Sequence, residues 1–121
     1  MKPPLVALLV APDRHMRQQI LWEEKTLTVR EGHRDYRVGS PVMLCCHIVP
    51  WAVMATIVEV RHCLLKEVTQ EECLQDGVRN LEELLNNLRK YYPNISLDSP
   101  VTIIKWDDIR GYVVNRFRTS L

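Results

Sequence analysis

Two apolar runs separated only by Pro50, residues 42–49 and 51–60, constrain this chain more than any other feature. Both are rich in β-branched and other apolar side chains, and both read as strands. Pro50 cannot donate to a β-ladder, so it marks a break between them. The pair is therefore expected to form a hairpin or two neighbouring strands of a barrel.

The flanking segments decide what that pair joins. Residues 5–10 are continuously apolar and read as a first strand buried on both faces; Asp13 and Arg14 follow at once, without a small-residue cleavage site. Pro12 and Asp13 open a short amphipathic helix carrying Met16 and Ile20. Thr26-Leu27-Thr28-Val29-Arg30 alternates polar and apolar, as a half-buried strand does, and 31–41 is a polar loop holding Gly32 and Gly39. Thr69 to Glu72 forms a capping box, so a helix runs from there toward Asp76-Gly77. Asn80 caps another, whose Leu81, Leu84, Leu85 and Leu88 face the core while Glu82, Asn86, Asn87, Arg89 and Lys90 face water. Tyr91-Tyr92-Pro93 ends it, and 101–106 is a late strand. Beyond Asp107, Tyr112, Val113, Val114 and Phe117 either add an edge strand or pack on a partner. This order predicts one α+β domain over 1–121: a closed or nearly closed mixed β-barrel of about five to six strands with two to three flanking helices.

Composition narrows the function classes. A net charge of +1 over 121 residues excludes binding driven by a large overall positive field, while a local basic patch remains open. No apolar stretch approaches the ~20 residues of a membrane span, so the expectation is a cytoplasmic protein. Cys45, Cys46, Cys63 and Cys73 lack a CxxC pair, and with His47 and His62 they lack the spacing of a structural zinc site; buried reduced thiols are expected, and no metal. A Gly-rich phosphate loop and a G-x-S-x-G elbow are both missing.

The densest set of functional groups runs from Lys25 to Arg37. Thr26, Thr28 and Arg30 share one strand face, which is costly in a small barrel unless it meets water or a ligand. Lys25, desolvated by barrel walls, can serve as a base for a Thr28 nucleophile. Residues three apart on a strand face opposite sides, so the two meet only if the chain turns near Lys25 or Thr26. Asp76 is the candidate acid, although Asp-Gly is also an ordinary turn pair. Trp51, Trp106, Tyr36, Tyr91 and Tyr92 could stack on a base, but the two tryptophans sit in apolar strands and are expected in the core. Tyr36, between Arg34 and Arg37, is the expected exposed ring for stacking on a base.

These segments together resemble an ASCH domain, one of the PUA-like barrel superfamily. The resemblance runs from the helix at 16–24 through Lys25-Thr26-Leu27-Thr28-Val29-Arg30, the stretch 36–42, 59–60, 65–77, Tyr91-Tyr92-Pro93 and the closing strand. It implies a PUA-like fold. Many ASCH domains carry a glutamate at the position of Thr28; the Lys-Thr-x-Thr-x-Arg form is instead similar to the small bacterial amidohydrolases that act on N4-acetylcytidine. That similarity implies Lys25 as base, Thr28 as nucleophile and Asp76 as proton donor, the last replacing a glutamate one methylene longer, with Glu72 as a stand-in. It implies no metal and no cofactor. Thr26, Arg30, Arg34, Tyr36 and Arg37 are the implied substrate-binding residues, and the partner is a modified nucleoside or RNA. The alternatives are a non-catalytic RNA-binding module in the same groove and, more distantly, a ribonuclease.

Overall fold

The computed structural model describes residues 6–10, 13–46 and 49–113. In chain order these form β1 (Val6–Leu9), α1 (Arg14–Leu21), β2 (Leu27–Glu31), β3 (Pro41–Cys46), β4 (Trp51–Leu64), α2 (Gln70–Asp76), α3 (Leu81–Arg89) and β5 (Pro100–Val113), with a 3-10 turn at Leu65–Glu67. The strands make one mixed sheet in the order β1-β3-β4-β5-β2, curled into a half-barrel of the PUA-like kind. Only the β1–β3 pair is parallel. β1 and β2 are thus the two edges, and the half-barrel is open along the seam between them.

The Pro50 break makes a hairpin. β3 and β4 pair antiparallel with Val42 opposite Ala55 and Leu44 opposite Val53, and all four side chains are fully buried. Met43 and Met54, paired on the other face, are half-buried. This is the alternation that burial of one sheet face selects. Residues 47 and 48 of the first run lie outside the described residues.

Two cores result. Leu8, Ile20, Leu44, Val53, Ile57 and Trp106 belong to the one inside the half-barrel; Leu27, Val29, Leu65, Leu84, Ile95 and Ile103 belong to the other, under α2 and α3. β5 serves both. Ile104 and Trp106 enter the first and Val101 and Ile103 the second, so 101–104 is buried without alternation. Trp51 and Trp106 are core residues, as their apolar strands imply.

Three expectations are corrected. β1 is buried on one face only: Leu8 is inside while Leu9 is 54% exposed, because β1 is an edge strand with its outer face uncovered. Residues 108–113 do not form a separate strand. They continue β5 to Val113, paired with β4 through shifts in register near Met54, Thr56 and Ile57; Val114 and Phe117 lie outside the described residues. Of the four cysteines, Cys63 and Cys73 are buried but Cys45 and Cys46 are only half-buried. None of the four is in a disulfide, and burial pushes the thiols of Cys45, Cys63 and Cys73 up.

Candidate functional site

α1 stops at Leu21, and Glu23 takes a left-handed φ of 60°. The N–H groups of Glu24 and Lys25 then both donate to the Gln19 carbonyl, at 2.8 and 3.0 Å. Lys25 therefore sits in a tight turn, two residues before β2 begins. The rule that residues three apart on a strand diverge does not apply to Lys25 and Thr28, because Lys25 is not on the strand.

Asp76 is brought to this turn from the other side. The capping box of Thr69 and Glu72 starts α2, and Gly77, with a left-handed φ of 97°, stops it directly after Asp76. A Cβ at Gly77 would come within 3.1 Å of the Gln19 side-chain amide, which would have to shift by a few tenths of an ångström, and the left-handed φ favours glycine there. The Thr26 N–H donates to the Gln75 carbonyl at 2.8 Å, which ties the start of β2 to the end of α2.

Lys25 Nζ consequently donates to Asp76 Oδ1 at 2.8 Å, to the Asp76 carbonyl at 2.9 Å and to the Leu27 carbonyl at 2.9 Å. Lys25 is 3% exposed, so this ammonium is held inside the protein. Three acceptors match its three protons. Burial pushes the Asp76 carboxyl above its ordinary range, and the charges of Lys25 and then Arg30 offset that only in part.

Lys25, Thr28, Arg30 and Asp76 all line one cavity of about 260 Å³. It occupies the seam: Leu9 and Val10 come from the β1 edge, Thr28, Val29 and Arg30 from the β2 edge. Among the described residues the Thr28 hydroxyl makes no hydrogen bond, which leaves it free for a molecule in the cavity. Arg30 crosses the seam to donate from Nη2 to the Leu9 carbonyl at 2.6 Å, while its Nε is buried without a partner. The site thus combines a buried ion pair, an unengaged hydroxyl and a guanidinium around a mostly apolar space. Such a set can move a proton, attack an acyl carbon and stabilise a developing negative charge.

The other residues singled out from sequence do not line the cavity. Thr26 directly precedes β2, with its carbonyl taken by the Trp106 N–H at 3.0 Å. Arg34 donates from Nε to the Glu31 carbonyl at 2.9 Å and from Nη2 toward the Tyr92 hydroxyl at 3.5 Å. Tyr36, expected to be an exposed ring, is half-buried against the core inside the half-barrel, and Arg37 is exposed in a turn closed by Ser40. Glu72 lies away from the cavity in its capping box and in a pair with Arg61 at 2.6 Å. Burial raises its carboxyl, but Arg61 and the Thr69 N–H more than reverse this and hold it below the usual range.

Sequence reasoning missed the α3 part of the far wall, while Tyr91 and Tyr92 were among its candidate stacking rings. Leu84, Asn87 and Leu88 of α3, with Tyr91 and Tyr92 after it, face Thr28 across the cavity. Asn87, expected in water, is half-buried there. The usable signal was the aromatic pair directly following an amphipathic helix, which places two rings on the end of that helix's apolar stripe. Among the described residues no group of His, Cys, Asp or Glu side chains is placed to hold a metal ion, and no helix is long and apolar enough to cross a membrane.

Solved structures identify the class of fold. The chain resembles the ASCH domain from Lactobacillus crispatus at 14% identity and a TM-score of 0.68, covering 89% of this chain and 80% of that one. A protein of Enterococcus faecalis matches at 11% identity and a TM-score of 0.64, covering 95% and 84%. The ASCH protein of Zymomonas mobilis matches at 10% identity and a TM-score of 0.59, covering 88% and 67%. The chain therefore has the ASCH-domain fold, a PUA-like half-barrel with its candidate site in the seam. No family model and no curated protein matches the sequence.

Proposed function

We propose that this chain is an amidohydrolase that removes an acyl group from the exocyclic N4 of cytidine, as in N4-acetylcytidine. The observation that carries this reading is the buried Lys25–Asp76 pair, opening on the same cavity as the unengaged Thr28 hydroxyl. Burial raises the Asp76 carboxyl, which favours its holding a proton. One proton passing along the 2.8 Å bond leaves an amine on Lys25 and an acid on Asp76.

The amine takes the Thr28 proton as Oγ1 attacks the acyl carbon, and Arg30 faces the oxyanion that forms. The C–N4 bond breaks and Asp76 gives its proton to N4, which frees cytidine and restores the ion pair. Water then adds to the acyl-threonine, its proton returns to Oγ1, and the carboxylic acid leaves. The sum is acylcytidine plus water giving cytidine plus acid. Release of cytidine from N4-acetylcytidine by the pure protein tests this. An Arg30→Gln variant is expected to keep KM and lose about 100-fold in kcat, the usual cost of one oxyanion donor.

A second reading, a module that holds RNA or a nucleoside without cutting it, is favoured by the three acceptors that occupy Lys25 at rest. Salt-sensitive RNA binding without cytidine release, weakened by changing Arg34 and Arg37, would decide for it.

A further inference from the structure

The main-chain parity of β2 is fixed by hydrogen bonds just beyond its ends. The Trp106 N–H donates to the Thr26 carbonyl at 3.0 Å, and the Gly32 N–H donates to the Pro100 carbonyl at 2.8 Å. Thr26 pairs with Trp106 and Gly32 with Pro100 in one continuous register, so these, with Thr28 and Arg30 between them, turn their main-chain groups toward β5. Leu27, Val29 and Glu31 must turn theirs the other way, toward the open seam. Side-chain donors agree: Lys25 Nζ reaches the Leu27 carbonyl from that side and Arg34 Nε the Glu31 carbonyl.

Val29 stands between these two capped carbonyls. No hydrogen bond among the described residues reaches its N–H or C=O from the seam, and Val29 lines the cavity although its side chain belongs to the core under α2 and α3. Its main chain offers a donor beside an acceptor, at a 3% exposed position where polar groups demand partners. An unpaired strand edge is a template for just such a two-point contact.

We propose that the Val29 N–H and C=O dock the hydrogen-bonding edge of a planar base that carries an N–H donor beside a ring-nitrogen acceptor. An N4-acylcytosine presents this pattern at N4–H and N3. The capped neighbours fix the docking at Val29, because Leu27 and Glu31 already have their acceptors occupied. Leu84, Leu88 and Tyr92 supply apolar surface for the ring. Thr28 precedes the docking residue, which places the nucleophile beside the bond to be cut. The inference rests on the cavity being a nucleobase site, and not on the hydrolytic step.

The test is an NMR titration of the isotope-labelled protein with cytidine and with 3-deazacytidine, in which a C–H replaces N3. Cytidine should shift the Val29 amide signal and slow its hydrogen exchange. The deaza analogue should bind about tenfold more weakly, the effect of one hydrogen bond lost from a buried donor. A Val29→Pro variant removes the N–H without touching the β5 ladder; it should weaken cytidine and leave the analogue unaffected. An unmoved Val29 amide, or equal affinity for the two nucleosides, overturns the docking. A Val29 response without turnover of N4-acetylcytidine supports the docking and rejects the hydrolase. Turnover with equal affinities does the reverse.

Discussion

Replacing Lys25 with methionine is expected to lower the unfolding free energy by about 3–5 kcal/mol near neutral pH, as measured by denaturant unfolding. Methionine replaces most of the lysine stem, so packing changes little. What it removes is the partner of a buried carboxylate held at 2.8 Å. The sign of the pH dependence follows from the Asp76 shift. Its carboxyl lies above its ordinary value in the folded protein and at that value in the unfolded chain. Its contribution to stability is therefore fully present below the unfolded value and lost as pH rises through the folded one. Loss of Lys25 removes a charge that held the carboxyl down and drives it higher still. The deficit of the variant should thus be largest near neutrality and shrink on acidification. Adding Asp76→Leu to Lys25→Met should recover most of the lost stability, since an apolar pair of similar volume replaces an ion pair at little cost.

Replacing Thr28 with valine should do the opposite: it should spare the fold and abolish the reaction. Valine matches threonine in shape and favours strands. The hydroxyl it deletes makes no hydrogen bond among the described residues, so unfolding should change by less than about 1 kcal/mol. Turnover of N4-acetylcytidine should fall on the order of 10⁴-fold, because Thr28 carries the only aliphatic hydroxyl among the described residues that line the cavity. Cytidine should bind as before. A rate unchanged by this substitution would remove Thr28 from the chemistry.

What could be read in advance was local. The Pro50 hairpin, the Thr69–Glu72 box and the Asn80 cap each depend on residues within a few positions of one another, and each stands where the pattern put it. The fold order followed from these pieces. The Lys25–Asp76 contact joins residues 51 apart, and nothing in the spacing of the chain contains it, although both residues were candidates as base and acid. The turn that frees Lys25 from strand alternation depends on the Gln19 carbonyl accepting two N–H groups, a detail with no sequence signature. Misreadings had one cause, that exposure was inferred from immediate neighbours. Tyr36 sits between arginines yet packs inward, whereas Tyr91 and Tyr92 follow an apolar stripe and line the cavity. Leu9 belongs to an apolar run yet emerges at a sheet edge.

The central claim is that a lysine amine activates a threonine hydroxyl in a single desolvated space. Rapid acid quenching during turnover of N4-acetylcytidine, followed by mass analysis of the digested protein, examines it directly. The expected result is one acetyl group on the peptide carrying Thr28, formed with the first release of cytidine and absent from the Thr28→Val protein. An acetyl group on Lys25 itself, or turnover that leaves the whole chain unmodified from the earliest time points, would contradict it.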